Sequence, residues 1–257
     1  MRIFTFMAIC VFLSAGSGRA EVITQYYQVH SGTGFFINQM YLVTNAHVVN
    51  GCSKVVIKGA VSEHQASVQV LDTEHDLALL QTNQPPREFA PLRFNIDDLK
   101  AGDQVFVIGY PGEEGARGQY KMAQAQVVEL ANNVKGNPGQ FYISDVIDHG
   151  NSGGPVFDGS GNVIGVVVAK STLTTINQAT GEKLSEQHVG VAISLNTLKE
   201  FLSDHVAYTE LSGSGLLYNN DYIEGHAKDY IVNVQCRMLM DHPPRPGEPP
   251  LDDKTEP

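Results

Sequence analysis

From Val22 to about Ile193, short apolar runs alternate with polar and turn-forming residues, and each run carries β-branched side chains. The pattern predicts strands over Thr33 to Asn38, Tyr41 to Thr44, Lys54 to Lys58, Ser67 to Asp72, Leu77 to Gln81, Gln104 to Ile108, Tyr120 to Leu130, Gln140 to Asp145 and Val163 to Ala169. Turn signals separate them at Asn50-Gly51, Gln84-Pro85-Pro86, Ala101-Gly102-Asp103, Tyr110-Pro111-Gly112, Gly136-Asn137-Pro138-Gly139 and Gly159-Ser160-Gly161-Asn162. Many short strands at this spacing make an all-β sandwich or barrel. The longest interval without a strand pattern, Gln84 to Lys100, is the candidate linker between two β halves. A helix is expected late, capped by Asn196, with Leu198, Phe201 and Leu202 on one face to about His205. Beyond it, Ser212 to Gly215 reads as a flexible joint. Asp229 to Met240 alternates like a strand that either joins the barrel or docks a partner, and His242 to Pro257, rich in proline and acid, is expected to be disordered.

The first residues follow a different rule. Arg2, the apolar run Ile3 to Leu13 and the small residues Ser14 to Ala20 have the layout of a secretory signal, with Gly18 and Ala20 suited to the cleavage site. The apolar run is too short to span a bilayer, and no later stretch is long and apolar enough, so the mature protein is expected to be free of the membrane. Cleavage after Ala20 removes Arg2 and Arg19, so the 17 basic residues fall to 15 against 28 acidic ones, a net charge of −13. Such a surface repels nucleic acid and anionic lipid. Cys52 and Cys236 are the only cysteines after cleavage, and in an exported protein they are candidates for a disulfide that ties the C-terminal segment to the stretch carrying His47. No metal-ligand spacing is present, and neither a metal nor another cofactor is expected.

The candidate chemistry centres on Gly150-Asn151-Ser152-Gly153-Gly154-Pro155, a serine set among glycines that leave backbone N–H groups accessible. Two unrelated designs present a nucleophile this way: the chymotrypsin-like turn and the Gly-x-Ser-x-Gly elbow of α/β-hydrolases. The elbow runs straight into a helix, with its acid and histidine later in the chain. Here Pro155 interrupts, a turn follows at Gly159 to Asn162, and Val163 to Ala169 reads as a buried strand. Upstream lie a histidine at a strand end, in Thr44-Asn45-Ala46-His47-Val48-Val49, and an aspartate heading a strand, in His75-Asp76-Leu77-Ala78-Leu79-Leu80.

The order His47, Asp76, Ser152 and the motifs around them resemble the HtrA-type branch of the chymotrypsin-like serine proteases. Ser31 to Ile37, Tyr110-Pro111-Gly112 and Gly190-Val191-Ala192-Ile193 are similar to further signatures of that branch, and the resemblance covers about residues 30 to 202. It implies two six-stranded antiparallel β-barrels, about residues 21 to 97 and 98 to 203, with a C-terminal helix and a short extension over 204 to 257. It also implies roles. His47 is the base that activates Ser152, Asp76 fixes the imidazole tautomer, and the N–H groups of Gly150 and Ser152 form the oxyanion hole. Asp72 and Glu74 compete for the acid role, but only Asp76 directly precedes the apolar run. His64, His75 and His149 read as surface or loop residues.

The resemblance further places Val146 and Ile147 at the specificity pocket and Ala169, Lys170, Ser171 and Gly190 along its walls. That lining implies cleavage after small or aliphatic residues of polypeptide substrates, with Lys170 a departure from the usual apolar residue. Asn151 stands where trypsin-like zymogens keep an aspartate, so activation by an N-terminal ion pair is not expected. Residues 204 to 257 are too few for the PDZ domain that HtrA enzymes usually carry. Two other readings stay open: a catalytically silent binding or chaperone-like protein on the same fold, and a secreted glutamyl-type protease. The sequence leaves the oligomeric state unknown.

Overall fold

The structure, a computed structural model, describes residues 8–10, 23–130, 139–177, 183–211 and 217–240. Most of the expected signal segment, the joint at 212–215 and the acidic tail from 242 onward lie outside the described residues. In the N-terminal part the strands are β1 (Ala8–Cys10), β2 (Ile23–Phe36), β3 (Tyr41–Thr44), β4 (Lys54–Gly59), β5 (His64–Asp72) and β6 (Leu77–Gln81). The short strand β7 (Leu92–Arg93) follows, then β8 (Gln104–Gly109), β9 (Lys121–Glu129), β10 (Gln140–Ser144), β11 (Pro155–Phe157), β12 (Val163–Ile176), β13 (Lys183–Ser194), β14 (Glu210–Leu211) and β15 (Ile231–Met240). Among the described residues four short helices are interspersed: α1 (Ala46–Val49), α2 (Gly112–Ala116), α3 (Leu195–Ser203) and α4 (Asn220–Ala227).

The strands make two sheets. The first runs β2-β15-β4-β5-β6-β3, and a β2–β3 pairing closes it into a six-strand barrel, with β1 added outside β2. The second runs β11-β8-β9-β10-β13-β12, and a β11–β12 pairing closes it into a ring, to which β7 and β14 attach in parallel. Closure removes the unpaired edges that a twisted open sheet would expose. Inward-facing side chains fill both, with Phe35, Leu42, Ile57 and Leu79 in the barrel and Val107, Phe141, Ile143 and Val167 in the ring all buried.

The alternation at Asp229 to Met240 is realised as β15, which lies between β2 and β4 and so completes the first barrel from the far end of the chain. A disulfide joins Cys236 of β15 to Cys52 just after α1, with Cα atoms 5.2 Å apart.

Four sequence expectations shift. The strand expected over Thr33 to Asn38 begins ten residues earlier, at Ile23, and ends at Phe36. The late helix starts at Leu195 with Ser194, not Asn196, as its cap: Ser194 accepts the Thr197 N–H, and the earlier start lets Leu195 reach the core. Strand β12 runs on to Ile176 and β13 begins at Lys183, because this hairpin arm is solvated and lacks the apolar alternation that marks a half-buried strand. The linker Gln84 to Lys100 holds β7, two residues long, and Arg93 within it pairs with Asp158 at 3.3 Å.

The disulfide closes a span of 184 residues, so reducing it or replacing both cysteines by alanine is expected to cost about 2–5 kcal/mol of stability, read from urea denaturation.

Candidate active site

His47 sits in α1, a single turn that leaves β3 through Asn45. Asn45 is fully buried and spends its side chain on the opposite strand turn, donating Nδ2 to the Asp76 carbonyl at 2.9 Å. The Ala46 N–H donates to the same carbonyl at 3.2 Å. The Asp76 carboxylate then accepts twice from His47, from its backbone N–H at 2.9 Å and from Nδ1 at 2.8 Å. A carboxylate only accepts, so the ring proton is on Nδ1 and the neutral imidazole carries its lone pair at Nε2. Asp76 has φ 55°, the only non-glycine residue in the left-handed region among those described, a conformation aspartate tolerates better than most. The carboxylate is half-buried rather than buried, because the turn before it, Thr73 to His75, faces solvent.

The competing acid Asp72 is engaged elsewhere. Its Oδ1 accepts the N–H groups of Glu74 and His75, and its Oδ2 takes His75 Nδ1 at 2.8 Å. Burial pushes the Asp72 carboxyl up, but the hydrogen bonds from His75 outweigh it and hold the group below its ordinary value. The Asp72 hydrogen bond raises His75 against its burial, with Glu74 and Glu200 adding to the effect. Asp72 and His75 therefore brace the turn that presents Asp76. His64 is also structural, bonded through Nδ1 to the Ser62 carbonyl at 2.6 Å and through Nε2 to Thr82.

Ser152 lies in the loop between β10 and β11. Several carbonyls of this loop are anchored. The His149 oxygen accepts from Gly112 N–H at 2.7 Å, the Gly150 oxygen from Thr33 Oγ1 at 2.6 Å, and the Ser152 oxygen from Thr33 N–H at 2.8 Å. In a trans peptide the N–H points opposite to the preceding carbonyl. Anchoring His149 O therefore turns the Gly150 N–H the other way, and the bond from Gly154 N–H to Asn151 O at 2.9 Å does the same for Ser152 N–H. Among the described residues neither N–H has a protein acceptor. Gly150 requires its φ of 98°, and a Cβ there would meet the Tyr110 carbonyl at 2.3 Å.

The barrel and the ring meet tightly at this loop. A Cβ on Gly32 would lie 2.7 Å from a Val48 methyl and 2.9 Å from Ser152 O, so α1 and the serine turn both close onto the space that a side chain at this glycine would need. Ser152 Oγ donates to the Val168 carbonyl at 2.8 Å. Val168 is the extra residue of a bulge in β12, where the register passes from Val167↔Ala192 to Ala169↔Val191. Asn151 is buried with Oδ1 unpartnered, and a carboxylate in its place would be an uncompensated buried charge.

The expected pocket residues are brought together in part. Buried Ile147 fills the space beside Gly190, where a Cβ would meet Ile147 Cγ1 at 2.5 Å and Ile143 Cγ1 at 2.9 Å. Val146 is half-buried against the ring's core, Ala169 is exposed and Ser171 half-buried. Lys170 lies 3.5 Å from Asp145 and 3.6 Å from Asp148, so its charge is met by carboxylates of the loop that leads to Ser152. Sequence reasoning gave no role to Thr33, Asn45 or the Val168 carbonyl. Gly32 and Gly34 flanking Thr33 carry the signal, since glycine on both sides of a threonine marks close backbone approach.

Residues 32–166 match the family model described as trypsin-like peptidase domain. The chain is 35% identical over 209 residues to the protein y4bJ of Sinorhizobium fredii, covering 80% of this chain and 32% of that protein. It is 33% identical over 149 residues to the serine protease Rv3671c of Mycobacterium tuberculosis, covering 54% and 36%. To a Bartonella henselae protein described as a probable periplasmic serine endoprotease, DegP-like, it is 29% identical over 236 residues, covering 82% and 46%. The chain thus spans between about a third and under half the length of these curated relatives. The active form of the Rv3671c protease superposes with a TM-score of 0.51 at 26% identity, covering 75% of this chain and 78% of that one.

Two outcomes test the site's construction. Thr33→Val keeps the shape but strands the Gly150 carbonyl and the Tyr110 N–H, so urea denaturation should show a loss of about 2–4 kcal/mol. The His75 contribution to stability is fully present below the ordinary imidazole pKa near 6.5 and lost as pH rises through its raised folded value. That of Asp72 is present above the ordinary carboxylate pKa near 3.9 and lost as pH falls through its lowered one. The melting-temperature gap between the native protein and His75→Ala should therefore be wider at about pH 5.5 than at about pH 8.5.

Proposed function

The chain belongs to the trypsin-like peptidase family, and from that membership and the hydrogen-bond geometry around His47 and the serine turn we propose that it is an exported serine endopeptidase acting through His47, Asp76 and Ser152. The observation that carries the reading is the double grip of Asp76 on His47, which turns the ring so that the neutral imidazole carries its lone pair at Nε2, as a general base requires.

Each step follows from groups already placed. Ser152 Oγ turns its proton from the Val168 carbonyl, a poor base, to His47 Nε2 and attacks the carbonyl carbon of the scissile bond. The tetrahedral oxyanion is received by the N–H groups of Gly150 and Ser152, each such donor being worth about 3 kcal/mol in a transition state. The imidazolium, stabilised by Asp76, protonates the leaving amine as the C–N bond breaks and the acyl-enzyme forms. Water, deprotonated by His47, then attacks the ester, and the proton returns to Ser152.

The peptide N-terminal to the scissile bond is read as lying antiparallel to β12 along Val168 to Ser171. Ile147 beside Gly190, with Val146 near them, favours small or aliphatic side chains before the bond. Lys170 is already engaged by Asp145 and Asp148, which disfavours selection of acidic side chains by that lysine. Asn151 offers no carboxylate to a new N-terminus, so the protein is read as competent without that ion pair. The disulfide and the signal-like N-terminus support export. The description of the Bartonella relative as periplasmic points the same way.

Labelling with an active-site serine phosphonate, followed by a peptide library, tests the reading. Ser152→Ala should abolish labelling and lower kcat at least about 10⁴-fold. The library should show cleavage after small or aliphatic residues. Absence of Ser152-dependent labelling across neutral pH would make the protein a binding module, and dominant cleavage after Lys or Arg would overturn the pocket assignment.

A further inference from the structure

The two closed sheets leave few open edges, and one of them begins at the nucleophile. Strand β12 pairs with β11 only through Val166, and Val167 exchanges bonds with Gly153 and Gly154. Beyond that point β13 covers one edge of β12 as far as Ile176, and among the described residues no strand covers the other. Natural sheets blunt such edges with proline, charge or bulges. Here Ser171 to Ile176 contains no proline and no charge and is rich in threonine, a strong strand former. The one charge at its start, Lys170, is held by Asp145 and Asp148, and the one bulge aims the Val168 carbonyl at Ser152.

We propose that the open edge of β12 from Lys170 to Thr174 is an extended docking edge for the substrate segment N-terminal to the scissile bond. This would make the enzyme selective for polypeptides that can present about seven extended residues before the cleavage point. The inference rests on the peptidase reading above. Its occupant follows from continuity: the edge prolongs, without interruption, the stretch whose carbonyl touches Ser152 Oγ. In an antiparallel ladder the residue before the scissile bond lies at Val168, the third at Lys170, the fifth at Thr172 and the seventh at Thr174. Backbone N–H and C=O groups of alternate residues point to the same edge, so these positions bond to substrate while Ala169, Ser171 and Leu173 bond to β13. Thr172 and Thr174 are exposed. From Val168 to Thr174 the strand rises about 20 Å, a length that only an unfolded or locally extended chain can follow.

Fluorogenic peptides with the same four residues before the bond, lengthened to seven, provide the test. kcat/KM should rise about tenfold with length, the scale of one to two net backbone hydrogen bonds. N-methylation of the fifth residue's amide should remove the gain, and N-methylation of the sixth should leave it. Thr172→Pro, which takes one N–H from the edge, should lose the gain while turning over the four-residue peptide as before. A flat length profile overturns the proposal, as does equal loss on methylating the fifth and sixth residues. It is also overturned if light scattering shows a dimer that Thr172→Pro dissolves while the length gain is absent, since the edge then belongs to a second copy. Fluorescence anisotropy with the Ser152→Ala protein separates this inference from the peptidase reading. About tenfold tighter binding of the long peptide supports the edge whatever the turnover, and equal binding of long and short peptides rejects it.

Discussion

Thr33 holds the two halves of this molecule in register, and the candidate site exists only because of it. Every polar atom of this buried residue is committed. Its N–H bonds to Ser152 O, its carbonyl accepts from Thr44 Oγ1, and its hydroxyl donates to Gly150 O while accepting from Tyr110 N–H. One residue of β2 thus sets β3, which leads to His47, against the turn that carries Ser152 and against the end of β8. In a dry seam an unmet polar group costs about as much as several ordinary hydrogen bonds gain, so the four bonds stand or fall together. The glycines on either side admit this approach, since a side chain at Gly34 would run into the Val43 carbonyl at 2.9 Å.

The same point is braced from the far end of the chain. Asn233 of β15 lies opposite Thr33 in the ladder and donates Nδ2 to the Gly32 carbonyl at 3.3 Å. Cys236 on the same strand is disulfide-linked to Cys52, which lies just after the helix of His47. The first barrel therefore cannot close until β15 arrives, and folding of the His47 side depends on residues about 180 positions downstream of it. High sequence separation of this kind makes closure slow relative to local hairpins. A disulfide that fixes β15 beside α1 offsets that cost by restricting the unfolded chain.

What the sequence revealed of this arrangement tracks how locally each feature is encoded. Strands made of continuous β-branched and aromatic runs, such as Lys54–Gly59 and Gln104–Gly109, whose consecutive middle residues are buried on both faces, follow from composition and flanking turn residues alone. The serine turn, the histidine at a strand end and the aspartate heading β6 are legible because their chemistry needs particular residue types in a particular order. The β12–β13 arm is less legible, because both of its faces are solvated and no alternation marks it. Thr33, Asn45 and the Val168 carbonyl are hidden for another reason. Their roles come from backbone atoms, or from side chains bonded to backbone 31 or 117 residues away, which no local pattern records. The β15 strand was visible as alternation, but its place between β2 and β4 is a property of the closed barrel.

The turn before β6 shows how strain and charge are combined at such a site. Holding a non-glycine residue at positive φ costs about 1–2 kcal/mol, and Asp76 is held there by bonds on both its backbone and its side chain. The backbone bonds from Asn45 and Ala46 fix where the residue is, while the carboxylate bonds to His47 fix how the ring is turned. Asp72 supports the turn from behind through bonds that do not involve the ring of His47. Position and orientation are thus set by separate contacts. The bonds that hold the turn's backbone, from Asn45 and Ala46 and to Asp72, use no atom of the His47 imidazole, so a proton gained or lost by the ring breaks none of them.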